Sequence, residues 1–320
     1  MKKSVEQYRA LCASEQSIPL FAKAWWLDAA AGVGNWDVAL VESGGKIVAA
    51  LPYMVKKRYG FTVLSQPALT PALGPWFRES ARKPSVTLAL QKDWMKELID
   101  QLPRFDRYSQ NWTSNVKNWL PFYWEKFSQT TRYTYVLQEL KQEERLWQGL
   151  QSNIRGDIKK ARDRFGLTVR ADLKLEDFLC LNEKTFQRQG MALPYSRDFV
   201  QKLDDACVER DSRAIFIAED GEGRRHAGIY IVWDKNSAYY LMGGGDPQLR
   251  NSGATSFCMW EAIRFAATVT DRFDFEGSMI EPVERFFRGF GAQQVPYFFV
   301  TKTPSRLLRG VSFVRELKAA

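Results

Sequence analysis

The sequence predicts a mixed α/β protein of two domains, and three observations carry that expectation. The first is size: 320 residues, 45% apolar and 26% charged, are globular proportions with apolar side chains enough for more than one core at about 100–200 residues per domain. The second is a set of neighbouring strand patterns joined by tight-turn signals, the mark of antiparallel pairing. The third is a strand–loop–helix–strand unit between Ser237 and Gly277, which makes the sheet mixed and sets a helix N-terminus beside its strand ends.

In the first half a helical stretch precedes WDVALVE and KIVAALPYMVKK, two β-rich runs joined by Ser43-Gly44-Gly45-Lys46 as a hairpin. FTVLSQPALTPALGPWF is rich in Pro and aromatics, lacks periodicity and reads as a long ordered loop. Leu90, Trp94, Leu98 and Ile99 are spaced along one helical face, and RYTYVLQEL has the composition of a strand closing the first domain. The polar run KQEER places the boundary near Leu140, giving domains 1–140 and 141–320.

The second half is more regular. SNIRGDIKKARDRFG reads as a short helix capped by Ser152 or Asn153, with Gly166 in the left-handed position after its last turn. LTVRADL is a strand, and EDFLCLNEKTFQRQG and SRDFVQKLDDACVERD are amphipathic helices, the second capped by Ser196. RAIFIAED, HAGIYIVWD and SAYYLMGGG form an antiparallel meander turning at Gly221-Glu222-Gly223 and Asn236-Ser237. DPQLRNSGAT then leads into the helix SFCMWEAIRFAATV, followed by strand RFDFEG, helix EPVERFFRGFG and strand VPYFFVTK. The basic, amphipathic C-terminal SRLLRGVSFVRELKAA docks on the protein itself or on a membrane surface.

Composition narrows the function. Lys and Arg number 46 against 37 acidic residues, net +9, which suits an anionic partner such as phosphate, nucleotide or nucleic acid as well as plain solubility. Residues 1–140 hold 18 basic and 12 acidic side chains and the remainder 28 and 25, so the excess is no single tail. His226 is the only histidine; this excludes His-rich metal sites and makes any Ser–His or Cys–His chemistry depend on one residue, and no metal is expected. Cys12, Cys180, Cys207 and Cys258 are scattered without a CxxC pair, so neither a zinc ribbon nor a disulfide framework is indicated and a reducing cytoplasm is expected. No window reaches about 18 apolar residues, and charges stud the stretch from Met1 to Glu15 where a signal peptide would be apolar. Trp25, Trp26, Trp112, Trp119 and Trp124 lack an RNA-recognition signature and pack domains or line an acceptor groove.

Four constellations bear on chemistry. In Arg250-Asn251-Ser252-Gly253-Ala254-Thr255 a Gly permits close backbone approach and the following helix start offers free N–H groups; the segment is an anion cradle or an ordinary strand–helix turn. Arg155, Lys159 and Arg162 fall on one helical face with Lys160 and Arg164 beside them, a phosphate-docking face or a solvated one interleaved with Asp157 and Asp163. Asp274 and Glu276 alternate along FDFEG, two carboxylates able to raise one another's pKa and to serve as a base, with Asp246 at the neighbouring strand end as a third; the competing reading makes them loop-orienting and salt-bridge groups. Arg285 and Arg288 face substrate or pair with Glu281 and Glu284, while Phe286, Phe287 and Phe290 belong to a core.

YYLMGGGD, RNSGAT and FDFEGS together resemble the core of GNAT acyltransferases, whose acyl-CoA loop reads Arg/Gln-x-x-Gly-x-Gly/Ala; Arg250 and Gly253 match and Thr255 departs from the last position. NIRGDIKKARDRFGLTV, YYLMGGGDP, FDFEGSM and VERFFRGFGA in that order resemble the Fem-like branch of the superfamily over most of 150–300. That resemblance implies two tandem GNAT-like domains, the first degenerate, in a bacterial cytoplasmic protein. It implies an N-acyltransferase taking an acyl or aminoacyl group from acyl-CoA or aminoacyl-tRNA, a co-substrate and not a resident cofactor, to an amine acceptor such as a cell-wall (peptidoglycan) or envelope precursor. The roles it implies are donor binding by 250–255, catalysis by Asp274, Glu276 or Asp246, and substrate contact by Arg155, Lys159, Lys160, Arg285 and Arg288. No pair of long heptad-like helices occurs between Leu140 and Gly310, so the helical arm of the classical aminoacyl-tRNA users is not expected. The rival class is a catalytically silent protein binding RNA or an anionic envelope precursor.

Overall fold

In the computed structural model, which describes residues 2–310, the chain forms two compact units. The first holds residues 2–132 and 296–310, the second Tyr133–Val295. This division differs from a boundary near Leu140: the chain crosses between units inside two strands, and the last strand returns to the first unit.

The first unit begins with helices α1 (Lys3–Ser14) and α2 (Ala24–Ala31). Strands β1 (Trp36–Ser43) and β2 (Lys46–Arg58) follow, paired antiparallel and turning at Ser43↔Lys46. The stretch read as a loop contains β3 (Phe61–Ser65) and β4 (Trp76–Phe77), both antiparallel to β2. The sequence hides the turn into β3 because Tyr59, at φ 51°, shares it with Gly60, at φ 79°; a two-residue turn with both φ positive usually announces itself with Asn or Asp. Helix α3 (Pro84–Asp100), strand β5 (Arg107–Asn111) and the short α4 (Leu120–Trp124) complete the unit. β5 runs parallel to β3, and on its far side Phe299–Lys302 pairs with it antiparallel. Leu51, Leu64, Tyr108, Trp112, Phe122 and Val300 pack into one core there.

The second unit takes β6 (Ser128–Gln138) from Tyr133 onward. The run RYTYVLQEL is therefore a strand, yet from Tyr133 it pairs with a strand of the second unit and does not close the first. Helices α5 (Glu143–Gly149) and α6 (Ser152–Lys159) come next. Gln151, without a side-chain bond, occupies the cap position expected for Ser152 or Asn153, and a π-helical turn, Lys160–Arg164, extends α6. Strand β7 (Thr168–Arg170), helices α7 (Leu175–Arg188) and α8 (Arg197–Val208), and the meander β8 (Arg213–Glu219), β9 (Arg225–Trp233) and β10 (Ala238–Gly245) follow. Ser196 caps α8 by accepting the Phe199 N–H at 3.2 Å. Helix α9 (Ala254–Ala266), strand β11 (Arg272–Asp274), helix α10 (Glu281–Arg288) and strand β12 (Gln293–Lys302) end the order. The sheet runs β6-β11-β10-β9-β8-β7, with β10–β11 parallel and the other pairs antiparallel.

Helix α9 is apolar nearly all round, burying Phe257, Cys258, Met259, Trp260 and Ile263 against β8 and β9, as a helix covered on most sides must be. Helix α7 covers the other face over β9 and β10. It approaches so closely that a Cβ on Gly244 would overlap the backbone of Leu181 and Asn182. Among the described residues no helix is long and apolar enough to cross a membrane. Of the C-terminal amphipathic stretch, residues 306–310 are helical and the rest lies outside the described residues.

The α7–β10 approach gives a stability test. G244A is expected to cost about 1–3 kcal/mol through backbone overlap, whereas G221A, whose Cβ meets nothing within 4 Å, stays within about 0.5 kcal/mol of the parent. Urea unfolding of both variants measures the difference, and equal stabilities contradict the packing described.

Candidate functional site

Strands β10 and β11 share only two register pairs, Ala238↔Phe273 and Tyr239↔Asp274. Beyond them the chain after β11 stays with β6, Phe275 donating its N–H to the Tyr135 carbonyl at 2.9 Å, while β10 continues to Gly245 alone on that edge. Against β9 the register of β10 slips between Tyr240 and Met242, so Leu241 has no register partner on either side. Along this open edge lies a cavity of about 440 Å³, walled by Tyr240 and Gly243–Gly245 of β10, Thr185 and Arg188 of α7, the start of α9 and Phe286. Its size suits a small-molecule site.

One end of the cavity is built for negative charge. The N–H groups of Ala254, Thr255 and Ser256, in the first turn of the 13-residue α9, have no acceptor within the helix and carry its positive dipole end. Gly253 makes the turn possible: it sits at φ 80°, and a Cβ there would overlap the Asp157 carbonyl. Arg250 and Arg188 reach the same cavity, are exposed and make no ion pair among the described residues. The sequence reading missed Arg188; its signal was the three-residue spacing from Thr185, which puts both on one face of α7.

The carboxylates sit where β11 leaves β10. Asp274 is buried and fully engaged: it pairs with Arg272 at 2.8 Å, accepts the Glu276 N–H at 3.0 Å and accepts the Thr134 hydroxyl. It is a structural anchor, as one of the two sequence readings had it. Glu276 follows in the left-handed region at φ 58°, so strand alternation ends before it. Burial pushes its carboxyl well above the usual carboxylate range, the Asp274 charge adding and Arg272 opposing. Glu276 is not on the cavity wall; it stands on the β11 side of the parting, near enough for its charge to help raise the buried Tyr239 phenol. The Tyr240 phenol, pushed up by desolvation, does line the cavity.

Asp246 does not join the pair. It stands seven residues beyond Tyr239, the partner of Asp274, just past the end of β10, about 23 Å at strand rise. There Lys184 holds it at 2.5 Å and keeps its carboxyl below the usual range, which unfits it as a base. Within 250–255, Arg250, Gly253, Ala254 and Thr255 line the cavity, whereas Asn251 and Ser252 do not.

The predicted basic face is dispersed. Arg155 bonds the Gln148 and Leu150 carbonyls, Lys160 pairs with Asp157 at 2.8 Å and Arg162 with Asp163 at 2.7 Å, leaving Lys159 exposed. The π-helical turn is the reason: Phe165 bonds back five residues to Lys160, so side chains beyond Lys160 leave the α-helical phase. Arg288 pairs with Glu284 at 2.9 Å, and Glu284 also accepts the Tyr135 hydroxyl at 2.5 Å. Arg285 is exposed without an ion pair among the described residues. No three His, Cys, Asp or Glu side chains converge as metal ligands among the described residues.

Comparison with known proteins agrees with this architecture. The family of acetyltransferase (GNAT) domains matches residues 149–286. The fold is similar to the crystal structure of FemX, at 12% identity over 93% of this chain and 96% of that one, with a TM-score of 0.67. It is also similar to a tandem GNAT protein from the clavulanic acid biosynthesis pathway (13% identity, 95% and 96% covered, TM-score 0.54) and to L-PGS from Bacillus licheniformis (9%, 99% and 96%, 0.54). No curated protein matches the sequence. Residues 149–286 thus match the GNAT acetyltransferase domain family, and the chain as a whole has a fold of two GNAT-like domains.

The raised Glu276 carboxyl has a measurable signature. A raised folded pKa means the folded state keeps its proton after the unfolded chain has lost it, so stability falls as pH rises from about 4.3, the unfolded value, to the folded value. E276Q removes this loss. Its stability relative to the parent, from urea unfolding across pH, is expected to climb over that window by about 1.4 kcal/mol per pK unit of elevation. A pH-independent difference overturns the assignment.

Proposed function

We propose that the GNAT domain transfers an acyl group from a CoA thioester to the nitrogen of an amine acceptor. The observation that carries this is the cavity itself, which joins an anion-holding end, made by the first turn of α9 with Arg250 and Arg188, to the unpaired edge of β10. CoA combines a diphosphate with an extended chain of two amides. The diphosphate suits the α9 amides, and an extended amide chain can bond an open strand edge as an added strand does.

With the thioester carbonyl near Leu241, the backbone of that irregular position would donate to the oxygen as negative charge develops. The acceptor nitrogen attacks the carbonyl carbon, forming the C–N bond; the C–S bond then breaks, and the nitrogen loses a proton. Tyr240 lines the cavity with its phenol protonated, in place to give a proton to the departing sulfur. Glu276, with its elevated carboxyl, is the base for the nitrogen: a raised pKa lies closer to that of an amine and gives a stronger proton acceptor once ionised. Asp274 fixes Glu276 through the backbone bond and takes no proton itself. An amine borne on a cell-envelope precursor agrees with the resemblance to the Fem-like branch.

Donor binding is tested by thermal stability against free CoA, acyl-CoAs and aminoacyl-tRNA. A CoA species at one hundred times its Kd is expected to stabilise the protein by about 2.7 kcal/mol, and R250A to weaken that binding by about tenfold or more, the loss of a charge-assisted contact. A shift with charged tRNA alone reassigns the donor; a response only to polyanions, lost with salt, favours the silent binding protein. With a donor in hand, E276Q is expected to lower kcat by about 10²–10⁴-fold and to remove the rise of kcat/KM with pH that the parent shows as Glu276 ionises. Full activity in E276Q removes the residue from the mechanism.

A further inference from the structure

The acyl-transfer scheme leaves the only histidine of the chain without a task, although His226 is 3% exposed and lines the cavity. It is the second residue of β9. Its carbonyl accepts the Asp246 N–H at 2.9 Å, its Nδ1 lies 3.0 Å from the Ser252 Oγ, and its Nε2 lies 3.0 Å from the Asp220 carboxylate in the β8–β9 turn. One residue thus holds both ends of the loop 246–252, the first by backbone and the second by its ring. Arg250 is carried on that loop, and α9 starts directly after it.

Ser252, 1% exposed, meets the ring on one side and also bonds the Leu249 carbonyl at 2.8 Å, while the Asp220 carboxylate meets the ring on the other. We propose that His226 is a positioning residue whose ring, held between Asp220 and Ser252, clamps the 246–252 loop, and so sets Arg250 and the first amides of α9 for the anionic part of the donor. This rests on the donor site proposed above.

The surrounding charges agree. Asp220 also binds Arg224 at 2.8 Å, and its bond to His226, ahead of those to Arg224, holds its carboxyl well below the usual range. Asp246, paired with Lys184 of α7, is the second carboxylate facing the ring. Of the cations nearby, Arg225 reaches Asp177 at 2.7 Å and Glu219 at 3.6 Å, while Arg250 faces the cavity; the Asp157 carboxylate, also on the cavity wall, pairs with Lys160 at 2.8 Å. Without the ring–Ser252 bond the far end of the loop loses its side-chain tether to β9.

Hydrogen–deuterium exchange of residues 246–256, corrected for intrinsic rates, is compared at one pH in the parent, H226Q and S252A, and CoA affinity is measured by calorimetry. In both variants exchange of the loop is expected to be about tenfold faster than in the parent, one hydrogen bond's worth, with CoA bound about tenfold more weakly. S252A keeps the test standing where H226Q fails to fold. Loop exchange that is the same in all three proteins, or equal CoA affinity in all three, overturns the clamp. A loop that answers to His226 in a parent that binds no CoA upholds the tether and overturns the donor reading.

Discussion

The parting of β10 from β11 is the constraint on which the rest of the second unit depends. A strand abandoned by its neighbour exposes backbone donors and acceptors that water, protein or ligand must satisfy. Here the separation is enforced from the β11 side. The Asp274 carboxylate accepts the N–H of Glu276 two residues on, an Asx-type turn that stops the strand, and Phe275 commits its own N–H to β6. Arg272 and Thr134 hold the Asp274 side chain in that role. On the other side, the register slip leaves Leu241 without a register partner in β9. Two ordinary strand irregularities, facing one another, make a groove.

The same anchor creates the least comfortable residue of the unit. Glu276 has a left-handed backbone, unusual for a residue with a Cβ, and a carboxyl lifted by burial and by the Asp274 charge. Both cost stability. Compensation comes from the cluster behind it, where Phe273, Phe275, Phe287 and Phe290 are almost wholly buried and stack edge to face or tilted. Strain held in place by a rigid core keeps this raised carboxyl where it is without the loop relaxing.

Much of this was legible in the sequence, and the failures have identifiable causes. The meander, the Gly-bearing loop before α9 and the succession helix–strand–helix–strand after it are local patterns with local signals, and they stand where they were read. The membership of β6 is not local: Thr134, Tyr135, Val136 and Leu137 are all buried, and a continuous apolar run says strand without saying which sheet. The return of the last strand to the first unit is likewise a long-range pairing. At the site, the α9 turn was visible because Gly253 and Arg250 lie within one motif, whereas Arg188 comes from a helix more than sixty positions earlier and is united with them only by folding. The basic face on α6 failed because no composition signal marks a π-helical turn. Asp246 was grouped with Asp274 through strand adjacency, which fixes the neighbour but not the distance along it.

Thr255 bears on how far a motif mismatch weighs. The family pattern has a small residue there, and a β-branched side chain looks unfavourable. An anion cradle at a helix start, however, is built from backbone N–H groups, and every residue but proline supplies one. Side-chain identity is restricted only where the chain takes a left-handed φ or touches another backbone, and in this loop both conditions fall on Gly253. Thr255 is exposed in the first turn, with its amide aligned beside those of Ala254 and Ser256. The departure therefore leaves these backbone N–H groups in place and confines its effect to the shape of the rim.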